Sequence, residues 1–451
     1  MPSAALALLG ISVGFAEPNS FGATVSSTAR VGLDGCASTP ATCSWLSFND
    51  SAVLSPWALA KPSATVVAKG SFDLRINGVH QSESNEQAQP FQASTRLTDA
   101  WVSMRSSHTD LTLGVQRVSW GVGQGYSLID TINPLNLDDP TQFDQRLSVL
   151  AAHASLYSGH LDASAVIVPF FVPAALPVSG VALINSGSDF FDDQFSQSTS
   201  LELGSVTTRT SMPTNTVRDT SIATRIRYTP AAGDFALSWH RGRDSLPQAN
   251  GALVLIGFQT VEGRVDVGVP LEFPKRDILG FSARTTLPGD VTSWIEVTRT
   301  VAAKASVAPS EAQMEGLVNV GAIESVPDPI PYTVTQDGTP VFHWLLGADR
   351  SLGSLRLTAQ WLHGFLTERT ADEVSDYALL SAAWSATPTL RFEASGATNF
   401  SGHLFALRVT TLHSDSAELD IGATLIDGQT PSPFAALRTA SNLHTTVRMR
   451  F

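Results

Sequence analysis

Three features of the sequence predict an all-β fold, namely a transmembrane up-and-down antiparallel β-barrel of about 18 strands, within a range of about 16 to 20. Charged residues make up only 15% of the 451 residues, whereas 43% are hydrophobic. Segments of about ten residues alternate apolar and polar side chains, as the strands of such barrels do. The last of these segments ends on an aromatic residue, Phe451.

The low share of charged residues is typical of a barrel whose outer wall lies in lipid. A soluble domain needs a charged surface, and about 25% charged residues is usual. No run of about 18 apolar residues follows the N-terminal region, which excludes transmembrane helices. The net charge of −13 argues against nucleic acid as a partner.

The final segment, Leu443–Phe451, shows the alternation most clearly. Its apolar residues and Thr445 point to one face, because successive strand residues point to opposite faces. A soluble β-sandwich would tolerate the same pattern, and the aromatic residue at position 451 favours the membrane interpretation. We expect Phe451 to act as an assembly signal. The opposite, polar face carries His444, Thr446, Arg448 and Arg450.

The same alternation recurs upstream, in segments 222–228, 264–272, 390–395 and 418–425. Charges on one face and aliphatic residues on the other match a watery lumen and a lipid exterior. Lysine supplies 4 of the 28 basic residues, so arginine supplies the other 24. This usage reflects either genome composition or a pore that suits anionic solutes. Acidic and basic positions are interleaved, so ion preference is left open. The predicted pore-lining residues are Arg225, Arg227, Arg284, Arg391, Glu393, Arg408, Glu418, Asp420, Arg448 and Arg450.

The connections between segments alternate in length. Short turns at one end and long loops at the other are typical of outer-membrane barrels, and counting back from Phe451 places the short turns on the periplasmic side. Tight turns are predicted at 106–110, 157–160, 230–233, 287–290, 350–353, 386–388 and 413–416, and longer links near 120–145, 172–217, 302–339 and 428–442.

The sequence divides into three parts. Residues 1–16 hold a short apolar run ending in small residues, which predicts a signal peptide cleaved near Ala16. A basic start to this run is missing, so an upstream start stays open. Residues 17–62 are expected to form a periplasmic or lumen-inserted segment, although the alternating stretch 24–33 instead suits an added strand. Residues 63–451 are expected to form the barrel.

Two cysteines, Cys36 and Cys43, lie in the N-terminal segment. A local disulfide between them is expected, and it would indicate an oxidising compartment. A zinc site would need four ligands, and no other cysteine or histidine lies nearby. No cofactor or metal is therefore expected.

The most distinctive motif runs from Gly114 to Tyr126, as GVQRVSWGVGQGY, and continues as DTINPLNLD from Asp130 to Asp138. A proline-rich segment, PFFVPAALP, follows at 169–177. Together these motifs resemble a group of porin-like outer-membrane proteins of mostly unassigned function. Asn136 stands where that group usually has an acidic residue. The resemblance implies a barrel in the bacterial outer membrane and does not supply a substrate.

The loop after this motif is a candidate constriction. Trp120 is expected in the aromatic girdle where a strand leaves the lipid, and the glycines that follow it are expected to allow positive φ. An ordered loop on the barrel rim is the alternative. Nucleotide binding by the glycines is disfavoured, since no capped helix follows. The candidate constriction residues are Trp120, Gly121, Gly123, Asn133, Pro134 and Asp138.

Catalysis finds little support in the sequence. None of the usual hydrolase or metalloprotease motifs is present. His240, at an inward position, is the only candidate for a catalytic residue of a barrel-embedded hydrolase. Acidic loop clusters at 138–144 and 189–193 are expected to be solvated, with calcium binding as the alternative. The chain is not expected to be an enzyme.

The predicted function is that of a porin-like channel in the Gram-negative outer membrane. Small solutes would pass through a polar, charged lumen. The expected partners are membrane lipid, the barrel assembly machinery and the solutes. Two alternatives are a plugged, non-conducting barrel that acts as a scaffold or export partner, and a barrel-embedded hydrolase.

Overall fold

The computed structural model describes most of the chain. The described residues are 20–32, 48–77, 92–137, 145–175, 202–214, 216, 219–259, 264–319, 325–326, 328–330, 332–365, 368–414, 416–429, 432–438 and 441–451. Within these residues, 18 strands form one antiparallel sheet. No described helix is long and apolar enough to cross a bilayer.

The sheet closes on itself. Its first strand pairs with its last, with Ser26 opposite Arg448 in the register, so the fold is a closed barrel of 18 strands as predicted. The strands are β1 Ser20–Gly32, β2 Phe48–Ser63, β3 Val66–Asn77, β4 Gln92–Arg105, β5 Thr109–Gln116, β6 Val149–Ser158, β7 Leu161–Val168, β9 Ser221–Tyr228, β10 Asp234–Arg243, β14 Lys275–Leu287, β15 Val291–Ala302, β18 Val341–Leu352, β19 Leu355–His363, β20 Asp376–Thr387, β21 Leu390–Thr398, β22 Gly402–Ser414, β23 Ala417–Gly428 and β24 Asn442–Arg450.

Side-chain exposure follows the alternation predicted from the sequence. Ile226 on β9 and Leu237 on β10 are 60% and 63% exposed, whereas their inward neighbours Ala223 and Ala236 are 1% and 8% exposed. The outer surface is thus an apolar belt, as a hydrocarbon environment requires, and the inner surface is polar and packed.

The turns also follow the prediction. All seven predicted tight turns join consecutive barrel strands, and an eighth lies between β2 and β3. We call this edge of the barrel the short-turn end, and the opposite edge the long-link end. The long links near 120–145, 172–217, 302–339 and 428–442 are confirmed.

Three long links contribute to a second, six-stranded sheet. One predicted barrel strand, the alternating segment 264–272, belongs to this sheet, which corrects the prediction. Its Val269 and Leu271 are 3% and 2% exposed, because they pack within the links. The six strands are β8 Glu202–Thr210, β11 Gln248–Ala249, β12 Gly251–Gln259, β13 Arg264–Glu272, β16 Ala305–Pro309 and β17 Thr333–Gln336. The links also hold helices α1 Glu311–Asn319 and α2 Pro433–Ala436.

The N-terminal region requires another correction. β1 and β2 are barrel strands that pair with each other and with β24 and β3. The expectation that residues 17–62 lie outside the barrel wall is therefore wrong for these two strands, and the alternative of an added strand at 24–33 is the better one. Residues 1–16, Cys36 and Cys43 lie outside the described residues.

Opposite substitutions at neighbouring positions of β9 should test the facing. Ile226→Arg places a charge in the apolar belt and should cost roughly 2–4 kcal/mol of folding free energy. Arg225→Ile should cost less, about 1–2 kcal/mol, because its partner Asp162 keeps a contact with Arg227 at 3.6 Å. The measurement is urea-dependent folding into lipid vesicles. A larger loss for Arg225→Ile would mean that the faces are inverted.

Deleting Phe451 should reduce membrane insertion. The Phe451 amide donates to the Ala23 carbonyl at 2.9 Å, and the Ala23 amide donates back at 3.2 Å, so the deletion removes the last pair that closes the sheet. Phe451→Tyr, which keeps the pair and an aromatic ring, is the control. The measurement is the amount of heat-modifiable barrel in isolated membranes, and equal amounts for the deletion and the control would contradict this role.

Candidate functional site: a segment inserted into the charged lumen

The chain leaves β5 at Gln116 and turns into the barrel. We call residues 117–137 the inserted segment. Its backbone and side chains contact inward-facing residues of three wall strands, His240 on β10, Glu296 on β15 and Gln360 on β19. The candidate constriction loop thus lies inside the lumen and not on the rim.

One carboxylate folds the start of the segment. Asp130 accepts hydrogen bonds from the amides of Trp120 and Gly121 at 2.5 and 2.8 Å, and from the Ser119 hydroxyl at 2.8 Å. The three donors are consecutive residues of the first motif, Ser119 to Gly121, and the acceptor lies in the second motif, DTINPLNLD. The motif therefore pairs the backbone amides at the start of the segment within the segment itself.

Asn133 holds the segment to the ends of β5 and β6. Its side-chain oxygen accepts from the Val118 amide at 2.8 Å, and its side-chain nitrogen donates to the Leu147 carbonyl at 2.7 Å and the Gln116 carbonyl at 3.3 Å. The carbonyl of Pro134 accepts from the Leu147 amide at 2.8 Å. Asn133 is 2% exposed, so this residue is structural and does not face a solute.

Glu296 attaches the segment to the barrel wall. Its carboxylate is fully buried, and burial of an unpaired charge is costly unless hydrogen bonds compensate it. The compensation comes from the amides of Val122, Gly123, Leu128 and Ile129, at 2.5, 2.9, 2.7 and 3.3 Å, and from the Ser127 hydroxyl at 3.0 Å.

Gln360 attaches the same segment further along the wall. Its side-chain oxygen accepts from the Gln124 amide at 3.2 Å and from the Trp294 indole at 3.1 Å, and its side-chain nitrogen donates to the Gln124 carbonyl at 2.5 Å. Arg356 connects the Gln124 side chain to Asp349. The segment is therefore held along β15, β18 and β19.

Two glycines are needed because the segment lies so close to its neighbours. A Cβ on Gly121 would lie 1.8 Å from Ser127 Oγ, and one on Gly123 would lie 2.2 Å from the Tyr126 carbonyl oxygen. The predicted positive φ occurs only at Gly125, where φ is 69°. Close approach, and not an unusual backbone conformation, explains Gly121 and Gly123.

Trp120 does not belong to an aromatic girdle, which corrects the prediction. It is 5% exposed and lies inside the barrel, with the Arg225 guanidinium 5.2 Å from its ring centre and His153 against its edge. The physical reason is that β5 ends at Gln116, so Trp120 follows the turn into the lumen. Asp138 lies outside the described residues.

A charged cluster lies beside the inserted segment. Asp244, at the end of β10, forms ion pairs with Arg276 at 3.2 Å and with Arg369. Burial raises the pKa of the Asp244 carboxyl, but the two guanidiniums lower it by more, so this pKa lies below its ordinary value. The cluster lines a cavity of about 90 Å³, together with Tyr126 and Arg146.

The predicted pore-lining residues all lie on barrel strands with the inward parity, and most form ion pairs. Arg225 and Arg227 approach Asp162 at 3.7 and 3.6 Å, and Arg284 stands opposite Asp234 in the register. The others form two groups near the short-turn end. These are Arg391 and Arg408 around Glu393, and Arg448 and Arg450 around Glu418, with Asp420 near Arg448.

Several residues of the site were not singled out from the sequence, chiefly Glu296, Gln360, Asp244 and Arg276. The alternation in SWIEVTRT places Glu296 on the polar face of its strand, which is a usable signal. Its partners are unpredictable because they lie between 167 and 174 residues away in the sequence. The proline-rich segment of the motif does meet the inserted segment, since the Ala175 amide donates to the Leu135 carbonyl at 3.0 Å.

His240 has contacts that suit a structural residue. It is inward-facing and 5% exposed, and its Nδ1 lies 2.9 Å from the Thr131 hydroxyl of the inserted segment. No described serine or cysteine forms a hydrogen bond with it. This geometry favours a wall residue covered by the segment over a catalytic base, which must reach its nucleophile.

Comparisons with known proteins identify similar structures only. No protein-family model and no curated protein matches the chain. A BenF-like porin from Pseudomonas fluorescens is 9% identical, with a TM-score of 0.49 and coverage of 97% of this chain and 99% of that one. Acinetobacter baumannii OccAB1 is 10% identical, with a TM-score of 0.49 and coverage of 97% of each chain. Pseudomonas aeruginosa OccD3 is 10% identical, with a TM-score of 0.46 and coverage of 97% and 92%. The support for the barrel architecture is the strand pairing described above.

Replacing Glu296 should release the inserted segment. Glu296→Ala leaves the amides of Val122, Gly123 and Leu128 without their acceptor, and each such loss costs about 1–3 kcal/mol. We expect residues 121–129 to exchange amide hydrogens faster in the folded barrel. Glu393→Ala removes an inward carboxylate that does not touch the segment, and it should leave this exchange unchanged. Equal protection of 121–129 in both variants would show that Glu296 does not hold the segment.

Proposed function

We propose that the protein is a porin-like channel of the Gram-negative outer membrane that passes small polar solutes. One observation carries this proposal: a closed sheet presents an apolar belt outward and a charged wall inward. In a bilayer, such a barrel satisfies every backbone group of its wall and encloses a polar path.

The inner charges suggest how the path is arranged. Arg391 and Arg450 are 55% and 58% exposed, and Arg408 and Arg448 are each 36% exposed. These guanidiniums lie near the short-turn end, where they would line a hydrated vestibule. Closer to the long-link end, the inserted segment fills the lumen and would narrow the path. Selectivity would therefore arise where the vestibule meets the inserted segment.

A plugged barrel is the second candidate, and one observation favours it. Toward the long-link end, apolar residues from the inserted segment, the wall and α2 form a continuous buried cluster inside the barrel. Tyr126, Leu345, Leu362 and Phe434 in this cluster are at most 4% exposed. A barrel sealed in this way would serve as a scaffold or as a partner in export.

Assembly would use the closing strand. We infer that the barrel assembly machinery recognises β24, whose outward side chains end on the exposed Phe451 ring. This strand pairs with β1 only when the barrel closes, so it is accessible to a partner until then.

Single-channel recording distinguishes these candidates. The wild-type protein should conduct ions in planar bilayers, and Arg448→Gln/Arg450→Gln should shift its reversal potential toward cations because two inward positive charges are lost. Arg350→Gln removes an exposed outward charge at the short-turn end and should cause no shift. If neither the wild type nor Glu296→Ala conducts, the plugged barrel is the correct interpretation.

A further inference from the structure

We propose that two arginines and a lysine on the outer surface bind the phosphate of a lipid headgroup in the outer leaflet. We call Arg241, Lys275 and Arg299 the basic rim. The inference rests on the proposed outer-membrane location, which places the long-link end in the outer leaflet. It concerns lipid and not the solute that the lumen passes.

The basic rim lies on three adjacent strands. Arg241 is on β10, Lys275 on β14 and Arg299 on β15, and β14 pairs with both of the others. The neighbours of the arginines, His240 and Thr298, point inward and are 5% and 3% exposed. Arg241 and Arg299 are themselves exposed, so they point away from the lumen.

Among the barrel-strand side chains that the structure describes, no other strand carries an outward arginine or lysine near its long-link end. Where side chains are described, the outward positions near the long-link end of the other strands hold no arginine or lysine. They hold aliphatic, aromatic, small or hydroxyl residues, histidine or aspartate. Examples are Val31, Ile76, Val115, Leu150, Ile167, Ile222, Phe342, His363, His403 and Leu443. Exposed outward arginine and lysine at this end of the described strands are therefore confined to β10, β14 and β15, although Arg117, one residue beyond the end of β5, is also exposed.

The neighbouring aromatic residues indicate the depth of the basic rim. Trp239 lies two positions from Arg241 on the same face of β10, and Phe342 stands opposite Arg299 in the register. Aromatic residues collect at the interface between hydrocarbon and headgroups. A charge at mid-membrane costs about 2–4 kcal/mol, and this falls to about 0–1 kcal/mol at the interface. The basic rim thus lies at headgroup level.

Within the described residues, the two arginines have no partner. Most inward-facing arginines described above form ion pairs, but Arg241 and Arg299 form no hydrogen bond or ion pair with any residue in the part of the chain that the structure describes. Asp277 faces outward between them and stands opposite Arg241 in the register. It can offset the charge of one of the two arginines, so an anionic partner is still required for the other.

A phosphate meets this requirement. Guanidinium groups bind phosphate through two parallel hydrogen bonds. Arg241 and Arg299 flank β14 and are offset by two residues, since their partners on it are Asp277 and Leu279. Strand spacing then puts their backbones roughly 12 Å apart. Two extended arginine side chains can reach one phosphate group across this distance.

The test is lipid retention. Purified barrel in phosphatidylcholine nanodiscs that contain phosphatidic acid should enrich phosphatidic acid around it, measured by native mass spectrometry after release into detergent. Arg241→Gln/Arg299→Gln should lose this enrichment several-fold. Arg350→Gln, which removes an outward arginine at the short-turn end, should retain it. Arg241→Lys/Arg299→Lys keeps both positive charges and should retain part of the enrichment. This variant replaces the glutamine variant in the test if the glutamine variant does not fold.

Each outcome decides the proposal. Equal enrichment in the wild type and in a folded Arg241→Gln/Arg299→Gln variant would overturn it. Displacement of the lipid by an equal concentration of inorganic phosphate would also overturn it, since the site would then bind a free ion. A wild type that enters no nanodisc would refute the membrane location itself. Unchanged conductance in the glutamine variant together with lost enrichment would support the basic rim independently of the channel.

Discussion

The rest of this structure depends on one constraint, that a sheet in hydrocarbon must leave no backbone group unpaired. The pairing of β1 with β24 satisfies it, because it removes both edges of the 18-stranded sheet. Closure then divides every strand into an apolar outer face and an inner face that tolerates charge. The buried carboxylates, the ion pairs and the inserted segment all exist on the inner side of that division.

Inside the barrel, polar satisfaction replaces a simple apolar core. The carboxylate of Glu296 can be buried because five donors of the inserted segment surround it. The segment in turn can leave the sheet because Glu296, Gln360 and Asp130 accept the amides that no strand pairs. The buried wall side chains and the inserted segment therefore satisfy each other's hydrogen-bonding groups, and this places a defined loop in the lumen.

The long links must also pair their backbone groups. A link that crosses the open end of a barrel carries backbone groups that must also be paired, and β8, β12, β13 and β16 pair with one another for this purpose. The side chains of β16 alternate between buried and less buried positions, as in a barrel strand, so alternation in the sequence does not distinguish a link strand from a wall strand. This is why the segment 264–272 was assigned to the barrel wall from its pattern alone.

The sequence by itself determined the fold class, the short turns and the inward facing of residues such as Arg225 and Glu393, because a strand of period two records its two environments directly. It also marked the loop that contains Asp130 and Asn133, whose partners are local. Only the tertiary structure decided that β1 and β2 complete the wall, that β13 leaves it, and that Glu296 receives the inserted segment. These outcomes depend on pairing between residues far apart in the chain, and alternation does not specify the neighbour of a strand.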